Sequence, residues 1–136
     1  MKRVFVDSGG FFALLARDDQ FHERAQALFQ RAHNERWRLV TTNAVVIETY
    51  ALLLTRSYNG RQNAIGFLDM IADDAYQVER IRKTDEGAAI KLVRTHHDKS
   101  YSLCDALSFV VMERLRIDEV IAFDRHFREY GRFIVL

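Results

Sequence analysis

The chain has no proline, one cysteine, one tryptophan and six glycines among 136 residues, and each scarcity removes a class of structure. Without proline there is no polyproline segment, and the scattered glycines form no flexible linker. There is no low-complexity tract and no internal repeat. A lone Cys104 cannot close an internal disulfide and leaves no Cys-based zinc site, which suits a reducing compartment. No apolar run approaches the ~18 residues of a membrane span. Charge of one sign is missing as well: twenty Lys and Arg face nineteen Asp and Glu, for a net +1, so no bulk field draws in a polyanion or an anionic membrane. Met1-Lys2-Arg3 and the apolar residues after it superficially resemble a secretory leader. Asp7 and Gly9-Gly10 split that stretch into Val4–Val6 and Phe11–Ala16, each too short for a leader's apolar core. The expectation is a cytoplasmic protein that meets no membrane.

What is present is apolar material in two periods. Hydrophobic residues make up 49% of the chain, enough for a core, and the length suits one domain spanning residues 1–136. Arg3 to Asp7 reads as a buried strand that stops at an acid and a tight turn. From Phe21 the positions Phe21, Ala25, Leu28, Phe29 and Ala32 recur at helical spacing. Arg38–Thr42 reads as a second strand, with Asn43 as cap for a helix from Ala44 to Leu54. A helix over about Gln62–Ala72 and a strand over Tyr76–Ile81 follow. Thr84 is placed to cap a helix to Thr95, and Ser102 one to Arg116. Val120–Phe123 and Phe133–Leu136 complete the strands. Strands alternating with helices call for a three-layer α/β/α sandwich around a mainly parallel sheet.

In such a sheet, ligands collect at the carboxyl ends of the strands. Asp7 and Asp124 both sit there. Taken singly, Asp7 also fits a helix N-cap and Asp124 a turn residue. Glu48 is flanked at helical spacing by Ala44, Val45, Ala51 and Leu52, all apolar, so its carboxyl needs a salt bridge, a proton or a bound cation. Ser102-Leu-Cys-Asp105 fits a capping box, although an acid in the first turn of a helix can also face a cleft. Cys104 reads as a packed small hydrophobe and not as a nucleophile. If Asp7, Glu48, Asp105 and Asp124 converge, like charges about 4 Å apart repel by on the order of 4 kcal/mol per pair at an effective dielectric near 20. Cations then become necessary. Carboxylate ligands select Mg²⁺ or Mn²⁺, and one or two such ions are the usual apparatus of phosphodiester hydrolysis.

Four segments carry a resemblance: Val4-Phe-Val-Asp-Ser8, Thr41-Thr-Asn-Ala-Val-Val-Ile-Glu48, Ser102-Leu-Cys-Asp-Ala-Leu-Ser-Phe109 and Ile121-Ala-Phe-Asp-Arg-His-Phe127, with Asp19-Gln-Phe-His22 and Ala25 between the first two. In this order over nearly the whole chain, they resemble a PIN-domain ribonuclease of the VapC toxin type. The resemblance implies Asp7 and Asp105 as principal metal ligands, Glu48 and Asp124 completing the acidic pocket, and Ser102 as a hydroxyl beside it. It further implies an RNA substrate, a cognate antitoxin that fills the acidic cleft, and a homodimer. Gly9-Gly10 departs from the bulkier pair expected there, which leaves the start of the first helix open. Cys104 is an uncommon neighbour for the third acid.

Arg24 and Arg31, seven apart on one helix, could share a face with Arg17, while His96, His97, Lys99, Arg125 and His126 could rim the acidic edge. Bases of this kind would neutralise RNA phosphates. Each reads first as solvated surface charge, and His126 as packing or polar surface. Two rivals to a metal-dependent endoribonuclease remain in view. One is a catalytically weak module of the same fold that acts through RNA or protein contact. The other, phosphoryl transfer through an aspartyl-phosphate at Asp7, lacks its second acid because position 9 is glycine.

Overall fold

The computed structural model describes all residues from Met1 to Leu136. Its elements run β1 (Arg3–Val6), α1 (Ser8–Leu15), α2 (His22–Asn34), β2 (Arg38–Thr42), α3 (Asn43–Arg56), α4 (Gly60–Ile71), β3 (Tyr76–Glu79), α5 (Lys83–Thr95), α6 (Leu103–Leu115), β4 (Glu119–Ile121), α7 (His126–Tyr130) and β5 (Ile134–Val135). The five strands form one sheet in the order β3-β2-β1-β4-β5, and every pairing is parallel. The expected α/β/α sandwich is therefore what the chain adopts.

Strand order explains where the helices go. From β1 the chain moves outward to β2 and β3, then returns across β1 to β4 and β5. Right-handed crossovers place α1 to α4 on one face and α5 to α7 on the other. The reversal leaves a crevice beside β1 and β4 at the carboxyl ends of the strands, the usual ligand position of such sheets. Helix α3 contacts α1 and α4 and also reaches α6, so it closes one side of that crevice.

Central position accounts for the composition of β1. Val4, Phe5 and Val6 are fully buried, so the strand reads as a continuous apolar run and not as an alternation. Each layer has its own aromatic core. On the α1–α4 side, the Phe11 ring meets Phe67 at 5.0 Å and Phe29 and Tyr76 at 6.0 Å. On the other, Phe109 stacks on Tyr130 at 4.3 Å and meets Phe127 edge-on at 4.9 Å. Truncating Phe109, which is fully buried, to alanine should cost about 3–5 kcal/mol.

Several local expectations are corrected. The segment after Asp7 is a helix, α1, that starts at once. Gly10 permits this, because a Cβ there would lie 2.9 Å from the Ile121 carbonyl and 3.2 Å from Val6 Cγ1. Thr42, not Asn43, caps α3 by accepting from the Val45 amide at 3.1 Å. Asn43 instead accepts from the Ile81 amide at 2.9 Å, just beyond β3, which ends at Glu79 and not at Ile81. Helix α5 starts before Thr84, with Arg82 as N-cap and Asp85 accepting from its amide at 2.9 Å. Strand β4 stops at Ile121, leaving Asp124 in the loop beyond it.

Candidate active site

Each acid is brought to this end of the sheet by a separate local device. Asp7 is the first residue past β1, and its backbone closes the end of the sheet: its amide donates to the Ile121 carbonyl at 3.1 Å. It occupies the N-cap position of α1 without making a side-chain cap, which removes the structural explanation for its carboxyl. Glu48 projects from the second turn of α3. Asp105 is the third residue of α6 and closes the capping box read from the sequence, with Ser102 Oγ accepting from the Asp105 amide and Asp105 Oδ2 accepting from the Ser102 amide, both at 3.0 Å. Asp124 forms the turn read from the sequence, its Oδ1 accepting from the His126 amide at 2.9 Å.

These side chains share one place. A cleft of about 770 Å³ is lined by Ser8, Glu48, Ser102, Asp105, Asp124 and His126, with Gly9, Phe12, Leu52 and Arg56 completing the wall. Asp7 itself does not line this cleft. It is 1% exposed, and neither carboxylate oxygen meets a hydrogen-bond donor in bonding geometry. Burial drives its pKa well above the ordinary carboxylate range, and the charges of Asp124, Asp105 and Glu48 add to the rise against the nearby Ser8 amide. Asp105 is raised too, first by burial and then by Asp124, while the Ser102 amide and His126 oppose the rise. Glu48 has no arginine partner; its Oε1 accepts from the Ser8 hydroxyl at 2.5 Å.

Two residues of the site, Ser8 and Arg56, escaped the sequence reading, while His126 was among the basic residues expected at the acidic rim and does line the cleft. His126, read first as packing or polar surface, brings Nδ1 to 2.7 Å from Asp105 Oδ2. Ligand atoms of Asp105, Asp124 and His126 lie within 4.8 Å of one another. The signal was the two-residue step from Asp124, which a tight turn folds back onto its own acid. Ser8 was readable only as the residue after Asp7. Arg56 was readable from spacing, since Glu48, Leu52 and Arg56 stand four residues apart along one face of α3.

Four of the other expected basic residues are engaged elsewhere. Arg24 donates to the Leu136 carbonyl at 3.3 Å, and Arg31 pairs with Glu35 at 2.7 Å. Arg125 pairs with Glu129 at 3.0 Å. His96 Nδ1 bonds the Leu92 carbonyl at 2.9 Å, its ring beside Tyr101 and Tyr130. The Cys104 thiol is pushed far up by burial and then by Glu48, Asp7 and Asp105, so it stays protonated and unreactive, as expected of a small packed side chain.

The donor chemistry suits a hard divalent cation. All donors but one imidazole are carboxylate oxygens, and a buried carboxylate with two unpaired oxygens lacks the partner that its burial demands. No such partner is supplied by the protein.

Residues 4–133 match the PIN domain family. The chain is 30% identical over 128 residues to the 23S rRNA-specific endonuclease VapC20 of Mycobacterium tuberculosis, covering 94% of both chains. It is 27% identical over 127 residues to a VapC ribonuclease of Archaeoglobus fulgidus, covering 91% of this chain and 78% of that one. Its fold superposes on the crystal structure of Mycobacterium tuberculosis VapC20, described as a sarcin-ricin loop cleaving toxin, with a TM-score of 0.85 at 28% identity over 97% of this chain and 98% of the other. The chain belongs to the PIN domain family, and within it to the VapC type.

Proposed function

We propose that this chain is a metal-dependent endoribonuclease that hydrolyses RNA phosphodiester bonds, the toxin half of a toxin–antitoxin pair, built as a single PIN domain. The observation that carries the reading is the Asp7 carboxylate, 1% exposed, unpaired and facing three further acids. A carboxylate in that position weakens the fold unless a cation joins it, so its presence argues for a site built to be filled. A binding module has no comparable use for it.

In this reading Asp7 and Asp105 hold Mg²⁺ or Mn²⁺ directly, with Glu48 and Asp124 completing the acidic shell. What a hard divalent cation supplies when bound is neutralisation of the crowded carboxylates and of the phosphodiester, together with a lowered pKa for the attacking water. The protein's own residues do the positioning. The Ser102 box fixes the Asp105 backbone and one of its carboxylate oxygens. His126 orients the same carboxylate through Oδ2, leaving Oδ1 to the cleft. Ser8 holds the Glu48 carboxylate across the gap between α1 and α3. Arg56, on the cleft wall, supplies positive charge for an RNA phosphate.

Two partners belong to this reading. A cognate antitoxin would fill the acidic cleft. A second copy would cover the exposed apolar residues Ile47 and Leu54 of α3 and Ile65 and Leu68 of α4. Ile47 and Leu54 fall within the apolar segment Ala44–Leu54 and Leu68 within Phe67–Ile71, and their exposure supports a contact there.

The test is cleavage of structured RNAs by purified protein in EDTA, Mg²⁺ or Mn²⁺, beside Asp7→Asn and Asp105→Asn. Cutting that needs the metal and both acids is expected. Cutting that persists in EDTA or in both variants would overturn the proposal. An adjacent short reading frame whose product co-purifies and restores growth on co-expression is expected for the toxin role, and size-exclusion chromatography with light scattering should give a dimer.

A further inference from the structure

A second hollow, of about 400 Å³, opens between the end of α1 and the α3–α4 turn, and its lining includes Arg17, Asp18, Tyr58, Asn59, Gln62 and Asn63. It lies next to the acidic cleft along α1 and the end of α3. Phe12 lines the cleft and Leu15 the hollow, one helical turn apart on α1, while Arg56 lines the cleft and Tyr58 the hollow two residues on. One turn of helix spans about 5 Å, so a single nucleotide step can bridge the two spaces.

Tyr58 is the unusual feature of this hollow. Its side chain is 82% exposed, yet the backbone that displays it is fixed from several directions. Asn63 Nδ2 donates to the Tyr58 carbonyl at 2.9 Å and to Ser57 Oγ at 3.1 Å, and Ser57 Oγ donates to the Leu53 carbonyl at 2.6 Å. Asn59 next to it holds a left-handed conformation at φ 59°. Gly60 allows the turn to fold onto α3, since a Cβ there would lie 2.3 Å from the Leu54 carbonyl. A turn this constrained fixes the point from which an exposed aromatic ring projects, and beside Arg17 the surrounding groups are amides and a carboxylate suited to the donor and acceptor edges of a base.

We propose that this hollow is a nucleotide subsite, in which an unpaired RNA base next to the scissile phosphate stacks on Tyr58 while Arg17 and Arg56 hold the phosphates on either side. The proposal rests on the endoribonuclease reading and extends it to the substrate. Aromatic platforms capture bases of any identity by stacking, and flanking arginines track the backbone. Asp18 keeps phosphate out of the hollow itself and favours a base edge that carries N–H donors. An unpaired nucleotide is required, because a base inside a duplex presents no free face to the ring.

The test uses a fluorescein-labelled RNA hairpin with an unpaired loop, its binding followed by fluorescence anisotropy in Mg²⁺ on an Asp7→Asn background that does not cut. Loop positions are replaced one at a time by an abasic nucleotide. Tyr58→Ala should weaken binding by roughly five- to a hundred-fold, the range of stacking on one aromatic side chain. Tyr58→Phe, which keeps the ring, should recover most of that loss. One abasic position should weaken the Tyr58-containing protein by a similar factor and cost nothing further in Tyr58→Ala.

Equal binding with and without the Tyr58→Ala substitution, or abasic penalties that persist undiminished once the ring is gone, would overturn the subsite. So would a partner protein that loses its grip on Tyr58→Ala while RNA binding is unmoved. If the hairpin binds with the expected Tyr58 dependence but the unmutated protein never cuts it, the nuclease reading fails and the subsite stands. If the unmutated protein binds no RNA, both fall.

Discussion

Two aspartates expose almost no surface in this molecule, Asp85 at 2% and Asp7 at 1%, but Asp85 lies shallow beneath its arginine and Asp7 deep in the fold, and their partners are opposite. Asp85 is fully satisfied. Arg114 donates to it through Nε and Nη2, both at 2.9 Å, the Arg82 amide donates at 2.9 Å, and Arg114 also reaches Glu79 at 2.8 Å. Burial alone would raise the Asp85 pKa, but the Arg114 guanidinium and the Arg82 amide outweigh it and hold the carboxyl below its ordinary value. Asp7 has three acids near it and no donor in bonding geometry, and its pKa is driven the other way. The first arrangement ties β3, α5 and α6 together. The second leaves two carboxylate oxygens at the carboxyl edge of β1 without a partner from the chain. Burial of a carboxylate by itself says little; what faces it separates a structural tie from a site.

That contrast can be broken at either end. The largest effect should be on activity: Asp7→Asn or Asp105→Asn should lower the single-turnover cleavage rate by more than the 10- to 100-fold that loss of an outer-shell partner costs a metal site. A rate within a few-fold of the unmutated protein would remove these residues from the reaction. Next comes stability. Asp85→Ala leaves the partly exposed Arg114 guanidinium without its main partner and should destabilise the fold by about 3 kcal/mol in urea melts, with the rate per folded molecule preserved.

Asp7→Asn should do the reverse to stability, raising the Tm of the metal-free protein by a few degrees, or on the order of 1 kcal/mol. The two aspartates also predict pH slopes of opposite sign. A folded pKa above the unfolded value of 3.8 makes the Asp7 contribution favourable below that pH, and it is lost as pH rises through the folded pKa. The lowered pKa of Asp85 makes its contribution favourable above 3.8, and it is lost as pH falls through the folded value. Metal-free melts from acid to neutral pH should show the first slope flattened in Asp7→Asn and the second flattened in Asp85→Asn. The smallest effect should come from a surface pair: Arg132→Ala loses a contact with the exposed Glu113 and should shift stability by no more than about 0.5 kcal/mol.

Much of the fold was legible because its signals are local. The Val4–Val6 run marks a central parallel strand, and the Phe21–Ala32 periodicity marks α2. The Ser102-Leu-Cys-Asp105 spacing marks the start of α6 to the residue. What could not be read depended on contacts distant in the chain. Helix α1 starts directly after Asp7 because Gly10 fits against Ile121, more than a hundred residues away. Asn43 looks like a cap and serves Ile81 instead, while Arg82 and not Thr84 begins α5.

At the site, the residue types and their order along four segments pointed to the acids, and the strand-end rule pointed to the edge where they meet. Whether Glu48 faced an arginine was not a local property; the answer, a serine from α1, required the packing of α1 on α3. The pairing of His126 with Asp105 was hidden for a similar reason. The imidazole acquires a role only when the turn after β4 is set beside the first turn of α6.

The most direct measurement is a calorimetric titration of Mn²⁺ into metal-free protein at neutral pH, repeated in buffers of different ionisation enthalpy, for the unmutated chain, Asp7→Asn and Asp85→Asn. Saturable binding with proton release in the unmutated chain and in Asp85→Asn, and its loss in Asp7→Asn, is the predicted result. Equal binding by all three, or no binding by any, would contradict the claim that the orphaned Asp7 carboxylate is there to hold a cation.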